Sequence, residues 1–159
     1  MSGRPLRLLV IVLSLLAASI LSAAPAAAST RGPVCVPVYL TGTGKSTSPT
    51  TTTATLYLFG REIATTTGVF TATAPDFTGR VVITPKRLRG GTLEATVSGS
   101  YKFDSDNIPN GFDAEGPVVG TGVLTGATGR LRFEGPLTFS TGEFTEKVTG
   151  KLCADLSRW

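Results

Sequence analysis

Short runs of alternating apolar and polar residues follow one another along the chain, and Gly, Pro, Asn and Asp separate them. Such runs are typical of β-strands, in which successive side chains point to opposite faces. No stretch shows a sustained helical period, so we predict eight strands. Their predicted ranges are Val34–Leu40, Thr52–Phe59, Ala64–Thr73, Gly79–Thr84, Thr92–Phe103, Gly116–Leu124, Gly129–Phe139 and Glu143–Leu152.

The number and spacing of these strands predict an all-β fold. Connections of hairpin length between eight short strands fit a small antiparallel β-barrel, and a β-sandwich is the second choice. Zero His among the 159 residues excludes a Ser-His-Asp triad and any imidazole ligand or base. We therefore expect no metal ion and no cofactor, and the sequence assigns no catalytic residue.

Alternation within the later strands indicates which side chains point into the barrel. It also places Glu146 on the apolar face of the last strand, where a carboxylate needs a partner or ionises with difficulty. We expect Glu146 at the barrel mouth in water, and contact with a ligand in the interior is the alternative. The candidate cavity residues are Leu93, Val97, Tyr101, Leu131, Phe133, Phe144 and Glu146.

The first 28 residues have the layout of a secretory signal peptide. Arg4 and Arg7 precede an apolar run from Leu8 to Leu21, and small residues up to Ala28 provide a cleavage site. An uncleaved anchor is the weaker alternative, because the run is shorter than the roughly 20 residues that span a bilayer. We predict one secreted domain over residues 29–159, with no stable membrane insertion after cleavage.

Cleavage also changes the charge. It removes two basic residues and no acidic ones, so the formal net charge falls from +4 to +2. A nucleic-acid partner then has little electrostatic support, and we expect none.

Cys35 and Cys153 are the only cysteines and lie near the two ends of the predicted domain. Export takes a chain to a compartment in which disulfides persist, and two cysteines allow one pairing. We predict a Cys35–Cys153 disulfide, which requires the first and last strands to be neighbours. Two free buried thiols are the alternative.

Four polar segments have a structural and a functional interpretation. Gly42–Ser46 resembles the end of a phosphate-binding loop, but Tyr39 stands where the first Gly of that motif belongs, so we predict a plain loop. Ser46–Thr53 is predicted to be a flexible loop, with O-glycosylation as the alternative. Asp104–Glu115 is predicted to be a loop rather than a calcium site, and Lys86–Gly91 a solvated hairpin turn rather than a site for an acidic partner.

The segment from Val119 to Gly135, with Gly126-Ala127-Thr128-Gly129-Arg130-Leu131-Arg132-Phe133 at its centre, resembles a hairpin of the allene oxide cyclase/dirigent-like barrel superfamily. It is also similar to a segment of Thr/Gly-rich exported bacterial proteins. The stretch from Thr141 to Gly150 fits the final strand of such a barrel. The resemblance implies eight strands around an apolar cavity. Plant members guide cyclisation or radical coupling with polar cavity residues, none of which matches a position here.

Three hypotheses for the function follow. The first is a secreted barrel that binds a small apolar ligand or acts as an extracellular interaction module. The second is a cyclase- or isomerase-like enzyme that uses the same cavity, with Glu146 or Tyr101 as a polar contact. The third is a structural cell-surface protein with a solid core. The sequence leaves the ligand and the oligomeric state open.

Overall fold

A computed structural model describes residues 32–154, which form a closed barrel of eight antiparallel strands. Each strand pairs with the next in the chain, and the last pairs with the first. The strands are β1 (Val34–Ser48), β2 (Thr51–Leu58), β3 (Arg61–Thr73), β4 (Asp76–Pro85), β5 (Gly91–Phe103), β6 (Pro109–Gly122), β7 (Thr128–Thr138) and β8 (Glu143–Ala154). This confirms the all-β barrel rather than the sandwich.

The signal peptide predicted over residues 1–28 lies outside the described residues. Within residues 32–154 there is no helix that could cross a membrane.

The seam between β1 and β8 closes the barrel. Its pairing runs from Val34 opposite Ala154 to Lys45 opposite Glu143, so neither strand is left with a free edge. Cys35 lies directly opposite Cys153 in this register, and the two form a disulfide. The predicted bridge is confirmed.

The barrel has two ends that differ in their packing. The disulfide end carries the start of β1, the end of β8 and the turns β2–β3, β4–β5 and β6–β7. The cavity end carries the turns β1–β2, β3–β4, β5–β6 and β7–β8. Towards the disulfide end the interior is solid, and its most deeply buried large side chains are Leu56, Val118, Leu131 and Val148.

The first hairpin corrects two predictions. Gly42–Ser46 was predicted to be a loop, but β1 continues through it to Ser48. The Ser46–Thr53 loop is likewise wrong, since β2 already begins at Thr51. The Gly-rich composition suggested a loop because Gly weakens a strand considered on its own. In this barrel, Gly42 and Gly44 lie beneath large side chains of β8.

The acidic segment of β6 corrects a third prediction. The loop expected over Asp104–Glu115 ends at Ile108, and β6 occupies the rest. Asp113 and Glu115 form cross-strand ion pairs with arginines of β7 on the outer surface. Among residues 32–154, no three His, Cys, Asp or Glu side chains are grouped to hold a metal ion.

The β4–β5 connection agrees with the prediction of a hairpin turn, since it spans the residues between Pro85 and Gly91. Lys86 forms an ion pair with Glu62 of β3 at 2.5 Å. An acidic partner for this turn stays a prediction.

Removal of the disulfide tests how far the seam stabilises the fold. The bridge joins residues 118 positions apart, and the chain-entropy relation gives about 4–5 kcal/mol for loops of that size. We expect C35S/C153S to lower the free energy of unfolding by about 4 kcal/mol, measured by urea denaturation. Wild-type protein under reducing conditions should show the same loss, and equal midpoints for oxidised wild type and variant would contradict this account.

Candidate functional site

A cavity of about 90 Å³ lies inside the cavity end of the barrel. One buried water needs about 15 Å³, and sites for drug-sized ligands usually exceed about 300 Å³. The space therefore suits a few waters or one small molecule, or part of a longer molecule that leaves through the mouth.

Six of the 14 side chains that line the cavity are aromatic. Five of these rings pack against another ring. Phe70 and Phe77 meet edge to face with centroids 5.6 Å apart, and the Phe77 and Tyr101 centroids are 4.8 Å apart. Phe112 and Phe144 form a second edge-to-face pair at 5.7 Å. Such contacts hold the rings in defined orientations. The aromatic lining residues are Phe70, Phe77, Tyr101, Phe112, Phe133 and Phe144, and the aliphatic ones are Val81, Val97, Ala114 and Leu137.

Glycines on neighbouring strands make room for these rings. A Cβ at Gly68 or Gly79 would overlap the ring of Phe70, and a Cβ at Gly44 would overlap that of Phe144. The rings therefore lie against bare backbone, which is one structural use of Gly within a strand. The same glycines weaken the sequence signal for these strands.

Glu146 is the one carboxyl group among the lining residues, and the residue is only 8% exposed. It lies opposite Gly42 across the seam, where a Cβ would stand 2.7 Å from its Cγ and 2.8 Å from its Oε1. No described residue donates a hydrogen bond to this carboxyl or pairs with it as a cation. Burial raises the pKa of Glu146 to about 7.

The expected position of Glu146 in water at the mouth is wrong. Glu146 is the fourth residue of β8, so its inward side chain lies deeper than that of Phe144, which stands nearer the rim. Its position inside the barrel is the one that the alternative requires, and contact with a ligand there stays a prediction.

The polar lining residues lie together on one wall. Ser46 on β1, Thr52 on β2 and Thr66 on β3 line the cavity with Glu146 on β8, and these four strands are consecutive around the barrel. The aromatic side chains lie on β3 to β8, so β3 and β8 each carry one polar and one aromatic lining residue. The cavity thus has a wall of hydroxyl and carboxyl groups facing a wall of rings.

No protein-family model matches the chain, and no curated protein matches its sequence. Among solved structures, the pterocarpan synthase dirigent protein GePTS1 is similar, with a TM-score of 0.50 at 11% sequence identity. The match covers 87% of this chain and 99% of that one. The chain has a dirigent-like barrel fold. An identity this low shows the fold alone, so no residue role is transferred from that protein.

The dirigent-like barrel brings five of the seven candidate residues to the cavity: Val97, Tyr101, Phe133, Phe144 and Glu146. Leu93 and Leu131 do not line this cavity: Leu131 is buried in the hydrophobic core, and Leu93 packs against that core. The alternation of apolar and polar residues correctly predicted that both side chains point inward. It does not indicate how far along the barrel axis, between the disulfide end and the cavity end, each one lies. Ligand binding by the five stays a prediction.

Sequence reasoning missed nine lining residues of the dirigent-like barrel. Ser46 was assigned to a loop, Thr52 stood where that loop overlapped the predicted start of the second strand, and Phe112 and Ala114 fell before the predicted start of β6. Alternation along β3 and β4 was a usable signal for the others on those strands. The remaining missed residues are Thr66, Phe70, Phe77, Val81 and Leu137.

The pKa of Glu146 makes the stability of the barrel depend on pH. The unfolded carboxyl releases its proton near pH 4.5 and the folded one near 7, so stability falls as the pH rises between these values. Between pH 4.5 and pH 8, we expect wild type to lose about 3 kcal/mol of unfolding free energy relative to E146Q, because Gln does not ionise.

Urea denaturation at the two pH values measures this shift. E143Q, which removes an exposed carboxyl from the same strand, is the matched control and should keep the wild-type pH dependence. A difference between wild type and E146Q that stays constant with pH would show that the Glu146 carboxyl is well solvated.

Proposed function

We propose that this protein binds a small, mostly apolar molecule in the barrel cavity. The observation that carries the proposal is the cavity itself, with a wall of rings facing a wall that holds Glu146. Apolar concave sites with a few polar groups are the usual form of small-molecule sites. Eight-stranded barrels are also wide enough to hold one small ligand.

The lining determines how such a ligand would lie. Its apolar body would pack against the rings of Phe70, Phe77 and Phe133, and one polar group would face Glu146 and the hydroxyls beside it. The volume of about 90 Å³ limits the enclosed part to a few non-hydrogen atoms. A longer ligand would extend between the turns of the cavity end.

Catalysis in the same cavity is the second candidate function. Glu146 and Tyr101 both line it, and a carboxyl with a pKa of about 7 can donate or accept a proton near neutral pH. If a bound ligand is recovered from the protein chemically unchanged, binding alone is supported. If wild type converts the ligand to a product and E146Q does not, an enzyme is supported. The third hypothesis, a structural cell-surface protein with a solid core, has less support because the barrel holds a cavity.

We also propose that the protein acts outside the cell. The Cys35–Cys153 disulfide supports this, because disulfides persist in oxidising compartments. The layout of the first 28 residues gives independent support.

Intact mass spectrometry of protein secreted into the medium tests this proposal. We expect a chain that begins at Ser29 and is two hydrogens lighter than its reduced form. Full-length chain retained in the cells, or two free thiols in the medium, would contradict it. A native spectrum of the same sample would also reveal any co-purified ligand.

A matched pair of substitutions on β2 tests ligand binding. Thr52 points into the cavity and its neighbour Thr53 points outward and is exposed. Leu at position 52 would fill part of the cavity, so we expect T52L to weaken binding of isobutanol at least tenfold. T53L should bind within about twofold of wild type.

Amide chemical shifts in ¹⁵N-labelled protein measure this binding. In wild type the shifts should concentrate on the strand segments around the cavity. Equal affinities for T52L and wild type, or shifts confined to the outer surface, would contradict binding in the cavity.

A further inference from the structure

The carboxyl of Glu146 has no partner of opposite charge. Among the residues that line the cavity, none is Lys or Arg, and Glu146 makes no hydrogen bond or ion pair within residues 32–154. No buried side-chain oxygen in this part of the chain is both fully enclosed and unbonded, so the carboxyl oxygens keep open surface. For a side chain this deeply buried, that surface belongs to the cavity.

The aromatic rings around this carboxyl favour a cationic ligand, as the carboxyl itself does. Six aromatic side chains line the cavity, and the faces of aromatic rings attract cations, most strongly where water is excluded. An ionised carboxylate in an apolar site is itself stabilised by a cation within hydrogen-bond distance. A neutral ligand can donate a hydrogen bond to the carboxylate but lacks both of these charge interactions.

We propose that the cavity selects a small protonated amine, whose ammonium group lies against Glu146 while its alkyl body packs against the rings. This proposal deepens the proposed function and rests on it. It assigns the ligand class from the charge and the aromatic lining of the cavity.

The polar wall fits a primary ammonium group better than a fully substituted one. A primary ammonium group carries three N–H donors and no acceptor. The Glu146 carboxylate and the hydroxyls of Ser46, Thr52 and Thr66 provide acceptor oxygens on one side of the cavity. A quaternary ammonium group would leave these oxygens without donors.

The pH dependence of amine binding would come from Glu146. The strands packed against it, β1 and β7, contribute no ionisable side chain to the cavity. Tyr101 on β5 is the other ionisable lining residue, and burial raises its pKa above the ordinary value of 10. Tyr101 therefore stays neutral while Glu146 ionises, and amine affinity should rise from pH 5 to pH 8.

The test compares isobutylamine with isobutanol, which have the same shape but differ in charge. Dissociation constants come from amide chemical-shift titrations of the complete secreted protein at pH 8. We expect wild type to bind the amine at least ten times more tightly than the alcohol. E146Q should remove most of this preference, because Gln carries no charge. E143Q is the matched control and should behave as wild type.

A second measurement does not depend on the folding of a variant. In wild type at pH 5, amine affinity should fall at least fivefold relative to pH 8, and alcohol affinity should stay constant. Equal affinity for the two probes, or an amine preference that E146Q retains, would overturn the amine proposal and leave small-molecule binding intact. Failure of both probes to shift cavity amides would count against the proposed function itself.

Discussion

Pairing of the first strand with the last turns a sheet with two edges into a closed barrel, and the inside of the protein exists only because of that seam. The same pairing positions two features far apart in the sequence. At the disulfide end it brings Cys35 against Cys153. Nearer the cavity end it brings Gly42 against Glu146 and Gly44 against Phe144. Because these pairs share one register, a slip of one residue would turn the cavity side chains outward as well as separate the cysteines.

The interior of a small barrel is normally filled by its own side chains, and this one is filled over only part of its length. The two ends of the barrel differ in the size of the side chains that face one another across the interior. Towards the disulfide end, branched aliphatic side chains from facing strands meet and fill the space. Towards the cavity end, glycines face aromatic rings, and Gly68 and Gly79 both lie against Phe70. Rings that rest on bare backbone stay near the wall, which leaves the axis of the barrel open.

Local pattern was enough to predict the fold but only part of the site. The strands that alternate cleanly, such as β5, were predicted nearly to their ends. In such a strand the polarity of each residue indicates whether its side chain points into the barrel or outward. β1 was cut short and β6 started too late, because Gly, Thr, Pro and Asp indicate turns when neighbouring strands are ignored. Pairing overrides those preferences. Position along the barrel axis was not predictable, since Leu131 and Phe133 share a face but only Phe133 reaches the cavity.

The burial of Glu146 is difficult to explain by stability alone. A shift of its pKa from 4.5 to about 7 corresponds to about 3 kcal/mol of lost stability once the pH exceeds both values. Proteins of this size are stable by only about 5–15 kcal/mol, so the loss is considerable. A Gln or Leu at this position would avoid it. A ligand that supplies a positive charge or a hydrogen bond would recover part of that free energy on binding, because it would favour the ionised carboxyl in the complex. Glu146 weakens the empty barrel at neutral pH, and the same carboxyl is placed to strengthen the occupied one.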